Sequence, residues 1–158
     1  MDRPHVSIQY ERTFPYPIDV AYAWLTDYQD DDPQRAGAMV EKRDVVRRGD
    51  REVEVDARLD VLGKKYTGRA VIHLHPEEHR WVAVIGRGSW QFHYRLEPDG
   101  PHRSRLIVDY RITSRRWTRR ALVTLGKPLI RRQLDRMWDG FADAMERELG
   151  TPISPAAQ

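Results

Sequence analysis

Three histidines are the first residues in the sequence whose type and spacing suggest metal chemistry. His73 and His75 alternate along one predicted strand, and His93 lies on a strand further along the chain. Three imidazoles can hold a zinc ion, but these fall on the polar face of their strands without a supporting carboxylate. The acidic run 30–32 is a weaker candidate, because consecutive side chains point in different directions. The sequence therefore predicts surface histidines and no metal site.

Other catalytic signatures are absent from the sequence. It contains no glycine-rich phosphate loop, no HExxH motif, no GxSxG motif and no cysteine, so nucleotide, serine-hydrolase and thiol chemistry have no basis in it. No Asp, Glu, His or Lys falls on the apolar face of a predicted strand, although general acid–base catalysis needs such a group. The loop residues Asp27, His79, His102 and Arg103 are the remaining candidates for the rim of a pocket. We predict no catalytic residue and no cofactor.

Alternating hydrophobicity reveals the strands that must position any site. Residues 6–14 form a first half-buried strand. Short turns join antiparallel neighbours, and one face of each strand is apolar while the other is charged, so the sheet needs a cover on one side only. Six further strands separated by such turns are predicted near 39–48, 51–61, 65–74, 80–86, 88–97 and 104–113.

Helical segments stand before and after this meander. Pro17 opens a short amphipathic helix, and the acidic run 30–32 before Pro33 is predicted to be a loop that caps a second short helical turn. Near the C-terminus the segments 115–126 and 127–149 both have helical periodicity, and we expect a break or kink between Gly126 and Pro128. The second of these segments carries the apolar stripe that covers the sheet, at Ile130, Leu134, Met137, Trp138, Phe141, Met145 and Leu149.

Two stretches of the sequence carry a family resemblance. FPYPIDVAYAWLTDYQD at 14–30 passes from a strand through proline into a helix, and GRGSWQFHYRLEPDGPHRSRLIVDYRI at 86–112 forms paired strands before the last helix. Both resemble the START and Bet v 1 superfamily, including its polyketide cyclase/dehydrase and lipid-transport group, over residues 5–149. The resemblance implies an α+β helix-grip fold, in which a curved antiparallel sheet of about seven strands wraps around the C-terminal helix. It also implies a hydrophobic small molecule bound between sheet and helix, although a minority of members are enzymes.

Small residues in the middle of the apolar face predict an internal cavity. If the turns set the register, Ala57 lies opposite Ala70 and Ala70 opposite Ala83. The same register puts Ala83 beside Trp90 and Trp90 beside Tyr110. Alanines leave room for an apolar ligand, and tyrosine hydroxyls offer hydrogen bonds to its carbonyl or hydroxyl group; the alternative is that aromatic side chains fill this space. The predicted ligand-binding residues are Ala57, Tyr66, Gly68, Ala70, Ala83, Trp90, Phe92, Tyr94, Tyr110, Met137, Trp138, Phe141 and Met145.

Basic residues are concentrated in the segment 115–136, where eight of them accompany one acidic residue in a chain of net charge +3. Such a segment favours an anionic partner, and an anionic membrane surface is the candidate. The alternative is a solvated helix face, and no nucleic-acid partner is expected. The residues proposed for membrane contact are Arg115, Arg116, Arg119 and Arg120.

The length of 158 residues suits one domain, which we place at 1–150 with a flexible tail at 151–158. No apolar run reaches the ~18 residues of a membrane span and no signal peptide is apparent, so a cytoplasmic location is expected. The leading functional prediction is the binding or transport of a hydrophobic small molecule, such as a lipid, isoprenoid or polyketide. The first alternative is a polyketide cyclase or dehydratase acting on an aromatic or polyketide-like substrate. The second is docking on a membrane or partner through the basic segment 115–136.

Overall fold

Seven antiparallel strands form one curved sheet in the computed structural model of the protein, which describes residues 4–28 and 40–152. The predicted sheet is confirmed, and the strand bounds differ from the predicted ones by no more than two residues. In chain order the strands are β1 His5–Phe14, β2 Val40–Arg48, β3 Glu52–Val61, β4 Lys64–His75, β5 Arg80–Ile85, β6 Trp90–Pro98 and β7 Ser104–Thr113.

The strands lie in the order β1-β7-β6-β5-β4-β3-β2, so consecutive hairpins run from β2 to β7 and β1 pairs with the far side of β7. The β1–β7 ladder extends from His5 opposite Thr113 to Phe14 opposite Ser104. β1 and β2 are therefore the two edges of the sheet. β2 has two register irregularities along its pairing with β3, and such irregularities are common at sheet edges.

The register across the hairpins differs from the predicted one by two residues at each step. The predicted neighbours Ala57–Ala70, Ala70–Ala83, Ala83–Trp90 and Trp90–Tyr110 are therefore wrong. The observed pairs are Ala57–Gly68, Val55–Ala70, Ala70–Ile85, Ile72–Ala83, Ala83–Phe92, Ile85–Trp90, Trp90–Ile112 and Phe92–Tyr110.

The tight turn between β3 and β4 accounts for the first of these shifts. Val61 pairs with Lys64, so Leu62 and Gly63 alone make the turn, with φ values of 54° and 81°. Two consecutive residues at positive φ are the hallmark of a two-residue hairpin turn. A shift of two residues keeps each side chain on its own face of the sheet, so the predicted assignment of residues to the two faces is unaffected.

The C-terminal helix is one element, α2 (Trp117–Leu149), of 33 residues and about 50 Å. The predicted break between Gly126 and Pro128 is wrong, because the helix continues through Pro128. A proline inside a helix costs about 3 kcal/mol, since one backbone hydrogen bond is lost and the ring crowds the preceding turn. Contacts with the β3–β4 turn must therefore support the helix at this point.

Those contacts lie on both sides of the proline. A Cβ added to Gly126 would lie 3.4 Å from Leu62 Cδ1. The Gln133 side chain donates a hydrogen bond to the Asp60 carbonyl oxygen at 2.6 Å and accepts one from the Leu62 N–H at 3.2 Å. The tip of the β3–β4 hairpin thus holds the middle of α2 in place.

The C-terminal half of α2 is tied to the beginning of the chain. The short helix α1 (Ile18–Leu25) follows β1 as predicted, and the indole N–H of Trp24 donates to Glu148 Oε2 at 2.8 Å. The Tyr16 hydroxyl donates to the Gly150 carbonyl oxygen at 2.9 Å. The second predicted short helical turn, capped by the acidic run 30–32, lies outside the described residues.

The two faces of the sheet have the predicted polarity. The inner face packs under α2, and its side chains form one buried core with those of the helix. The outer face carries exposed ion pairs, which contribute little stability each, such as Arg47–Glu54 at 2.7 Å and Arg105–Glu97 at 2.8 Å. Within the described ranges, no helix is long and apolar enough to span a membrane.

Candidate ligand cavity

A cavity of about 90 Å³ lies between the inner face of the sheet and α2. Strands β2 to β7, both helices and Tyr28 contribute side chains to its lining. The structure therefore brings together most of the residues predicted to bind a ligand, although their binding role stays a prediction. Those that line this cavity are Ala57, Ala70, Ala83, Phe92, Tyr94, Tyr110, Met137, Trp138 and Phe141.

The cavity exists where alanines interrupt the otherwise bulky inner face. Ala57, Ala70 and Ala83 come from three consecutive strands, and each is no more than 9% exposed. A methyl group at each position leaves volume that leucine or phenylalanine would fill. An apolar space of this kind stays free of water and accepts apolar molecules.

Two tyrosines place polar atoms in the apolar lining. The Tyr110 hydroxyl accepts a 3.0 Å hydrogen bond from the indole N–H of Trp138, which links β7 to α2. The ring of Tyr94 stacks on Trp81, with 4.8 Å between ring centres and 5° between planes. Burial raises the pKa of both phenols, so both remain neutral hydrogen-bond donors at physiological pH.

The cavity lining also includes a charged residue, Arg43, that is not among the predicted ligand-binding residues. Its guanidinium carbon lies 5.2 Å from the centre of the Tyr28 ring, within the range of a cation–π interaction. Burial raises the pKa of Tyr94, and the charge of Arg43 opposes that effect. Arg43, Tyr94 and Tyr110 therefore supply polar groups in a cavity whose other described walls are mainly apolar.

Four of the predicted ligand-binding residues do not line this cavity. Met145 is fully buried in the core. The other three line a second cavity of about 180 Å³ that shares side chains of β3 and β5 with the first: Tyr66, Gly68 and Trp90. The Tyr66 and Trp90 rings pack against each other with 4.8 Å between their centres.

Solved structures with the same architecture share little sequence with this chain. A protein from Thermus thermophilus superposes with a TM-score of 0.76 at 17% identity, covering 90% of this chain and 99% of its own. The Zhui aromatase/cyclase from Streptomyces sp. R1128 superposes with a TM-score of 0.77 at 15% identity, and the match covers 94% of this chain and 100% of its own. A START superfamily protein from Mycobacterium smegmatis superposes with a TM-score of 0.71 at 13% identity, and the match covers 92% of this chain and 99% of its own.

The chain has the helix-grip fold of the START and Bet v 1 superfamily. The resemblance of the two sequence stretches is thereby confirmed at the level of the fold. No protein-family profile matches the chain, and no curated protein matches it by sequence. Because a fold hosts many functions, the function must be argued from the site itself.

An open groove lies at the N-terminal end of α2, beside the cavity of about 180 Å³. It has a volume of about 970 Å³, and its lining includes three of the four arginines predicted to contact a membrane: Arg115, Arg116 and Arg119. The fourth, Arg120, donates a hydrogen bond to the Ser114 carbonyl oxygen at 2.9 Å. The membrane contact itself stays a prediction.

The histidines lie on the outer face of the helix-grip sheet, as predicted. His73 Nδ1 is 3.4 Å from Glu52 Oε2, and His93 Nε2 is 3.2 Å from Gln91 Oε1. In residues 4–28 and 40–152, no group of three or more His, Asp or Glu side chains is placed to hold a metal ion. The acidic run 30–32 lies outside the described residues.

The loop residues predicted for the rim of a pocket are not part of the cavity lining. His79 Nε2 lies 2.7 Å from Asp19 Oδ1, and its ring packs edge-on against Tyr22. Arg103 pairs with Asp99 at 2.7 Å. The lining of the cavity, as far as it is described, includes none of Asp27, His79, His102 and Arg103.

Proposed function

We propose that this protein binds a hydrophobic small molecule in the cavity between the sheet and α2. The observation that carries the proposal is a mainly apolar cavity lined by three alanines, with polar groups of Arg43 and Tyr94 among its other lining residues. Apolar walls favour the body of a hydrophobic ligand, while a few placed polar groups orient it. The ligand we propose is a lipid, isoprenoid or polyketide-like molecule that carries at least one oxygen-bearing group. Structural neighbours with this fold include hydrophobic-ligand-binding proteins and polyketide cyclases, which supports the proposal in general terms.

The size of the cavity limits how such a ligand is held. Its volume of about 90 Å³ is below the roughly 300 Å³ at which ligand pockets usually begin. A ligand larger than a single ring must therefore displace side chains or extend into the neighbouring cavity of about 180 Å³. Leu59 and Ile85 border both spaces, and both are aliphatic, so the boundary between the cavities suits an apolar chain.

Binding is favoured over catalysis by the chemistry of the lining. A cyclase or dehydratase needs a group that exchanges protons near neutral pH. The described lining contains no Asp, Glu or His, and burial raises the pKa of Tyr94 and Tyr110 away from that range. We therefore favour binding over the enzymatic alternative for this cavity.

Native mass spectrometry tests the proposed ligand class. The purified chain is incubated with a mixture of single-chain lipids, isoprenoid alcohols and aromatic polyketides, and we expect one hydrophobic adduct per chain. Ala83→Leu fills the cavity and should abolish the adduct, whereas the same change at the exposed Ala23 of α1 should retain it. An adduct that persists unchanged in Ala83→Leu would place the ligand elsewhere and contradict the proposal.

We propose membrane docking as a second function because apolar side chains of α2 point into solvent. Trp117, Leu122, Leu125 and Leu129 are 71%, 72%, 80% and 54% exposed. The three leucines recur at steps of three and four and so share one stripe of the helix. An exposed apolar stripe within a basic segment is typical of helices that lie on anionic lipid surfaces.

Sedimentation with lipid vesicles tests this docking. We expect the protein to bind vesicles that contain phosphatidylglycerol, to be released as salt rises, and to bind less after Leu122→Gln with Leu125→Gln. The control changes Val46→Gln and Leu149→Gln, at exposed apolar residues outside the stripe, should leave binding unchanged. Equal binding to uncharged phosphatidylcholine vesicles, or no binding at all, would rule out docking on an anionic surface.

A further inference from the structure

We propose that the open groove at the start of α2 binds the anionic head group of the same ligand whose apolar part occupies the cavity. This inference rests on the proposed function and narrows its ligand to a single-chain amphiphile with a phosphate or carboxylate group. The inference depends on two observations. The cations of the groove have no acidic partners among the described residues, and the groove shares side chains with the interior cavities.

The cations of the groove have no acidic partners among the residues that the structure describes. Lys64, Arg115, Arg116 and Arg119 line the groove, and none of them forms an ion pair with a carboxylate in the part of the chain that the structure describes. By contrast, arginines of the sheet pair with neighbouring acids, as Arg69 does with Asp56 at 2.9 Å. Four uncompensated positive charges around one concave surface attract an anion.

Arginine side chains also supply the geometry that such an anion needs. The planar guanidinium group can donate two parallel hydrogen bonds to a phosphate or carboxylate. Hydroxyl groups of Ser89 and Thr118 lie in the same lining and add further donors. The groove therefore suits an oxyanion better than it suits a neutral polar group.

The groove adjoins the interior of the protein through shared side chains. Tyr66, Ser89 and Arg119 line both the groove and the second cavity. Ala57, Leu59 and Ile85 then line both the second cavity and the alanine-floored cavity. The three spaces thus follow one another from four cations at the surface to three alanines in the core.

The character of the lining changes along this path at Tyr66. The Arg119 guanidinium carbon lies 6.0 Å and the Lys64 ammonium nitrogen 5.6 Å from the centre of the Tyr66 ring. The Tyr66 ring also packs against Trp90, with 4.8 Å between the ring centres. The lining is thus charged at the groove and becomes aromatic and then aliphatic toward the core. An anionic amphiphile matches this order, with its charged head group in the groove and its apolar chain in the interior.

Calorimetric titration of the full chain with decyl phosphate, decanol and inorganic phosphate tests the inference. We expect decyl phosphate to bind about tenfold or more tightly than decanol, because charge-assisted hydrogen bonds add to burial of the chain, and inorganic phosphate to bind far more weakly. In Arg116→Gln/Arg119→Gln the advantage of decyl phosphate over decanol should disappear while decanol binding is retained. The control pair Arg131→Gln/Arg132→Gln removes the same charge from exposed positions of α2 outside the groove lining and should keep the advantage.

Each other outcome overturns the inference in a distinguishable way. If Arg116→Gln/Arg119→Gln still binds decyl phosphate tenfold more tightly than decanol, the head group is bound elsewhere. If Arg131→Gln/Arg132→Gln loses the preference for decyl phosphate to the same extent, the attraction comes from diffuse surface charge, as in membrane docking. If inorganic phosphate binds as tightly as decyl phosphate, the groove takes a free anion that is not linked to the cavity. Binding of decanol without any preference for decyl phosphate contradicts only this inference, whereas failure of both amphiphiles contradicts the proposed function as well.

Discussion

Alanine residues determine the candidate site more than any polar residue does. Ala57, Ala70 and Ala83 create volume because their side chains end at Cβ, and that volume lies under α2. Their common face was predictable from the sequence, since side chains alternate with a period of two along a strand. The predicted register was wrong by two residues, but a slip of two does not move a side chain to the other face.

Tyr94 is the residue whose ionisation reports most directly on the cavity. Burial raises its pKa above the value of about 10 that it has in the unfolded chain. Above about pH 10 the unfolded state loses this proton while the folded state keeps it, so the free energy of unfolding falls as pH rises, by up to about 1.4 kcal/mol per pH unit. Urea unfolding at pH 9, 10 and 11 should therefore show a smaller alkaline loss of stability in Tyr94→Phe than in the wild type.

The comparison below pH 9 serves as the control for Tyr94→Phe. There the phenol is neutral in both states, so the difference in free energy of unfolding between variant and wild type should be constant. Parallel curves that continue through pH 11 would mean that Tyr94 ionises in the folded protein as easily as in the unfolded chain. That result would contradict its burial beside the cavity.

Arg43 illustrates why part of the site was not predictable at the residue scale. Its neighbour on the same face, Val45, suggests an inward direction, but the two irregularities in the β2–β3 ladder disturb the simple alternation. An arginine on an edge strand is ordinarily assigned to solvent. Its place in the cavity lining depends on three-dimensional neighbours, Tyr28 and Tyr94 of β6, which no local pattern contains.

At the scale of the element, α2 has two halves with different environments. The stripe from Ile130 to Met145 packs on the sheet as its periodicity predicts, whereas Leu122, Leu125 and Leu129 are exposed. Periodicity shows that apolar residues share a helix face, but it does not show whether another element covers that face. The basic segment already predicted membrane contact, and the exposed leucines, which the sequence alone could not show to be uncovered, add the apolar part of the docking surface.

Turns and helix continuity were the least predictable features of the elements. Leu62 takes a positive φ in a two-residue turn, although glycine and asparagine are the residues that favour this conformation. Pro128 lies inside a helix that ordinary proline geometry would interrupt. In both cases the tertiary contact between the β3–β4 hairpin and α2 decides the outcome, and its partners are about 70 residues apart in the sequence.

At the scale of the whole molecule, the helix-grip fold holds α2 firmly at one end and leaves open space at the other. Hydrogen bonds from Tyr16 and Trp24 reach the C-terminal turns of α2. The groove and the second cavity lie beside its first turns. Fold class, the order of strands β2 to β7 and the inner face were all accessible from the sequence. The volume and connection of the cavities were not, because they depend on the distance between two layers and not on the residues of either one.

The central claim is that space above Ala70 accepts a hydrophobic molecule, and one titration tests it most directly. Fluorescence of the uncharged probe N-phenyl-1-naphthylamine is followed in the wild type, in Ala70→Leu and in the control Ala23→Leu. We predict saturable binding in the wild type and the control, and at least tenfold weaker binding in Ala70→Leu with its thermal stability unchanged or raised, because three added carbon atoms occupy empty volume. Overpacking of a filled core would instead cost about 1–3 kcal/mol. Wild-type affinity in Ala70→Leu, or a loss of stability of that size, would contradict the account.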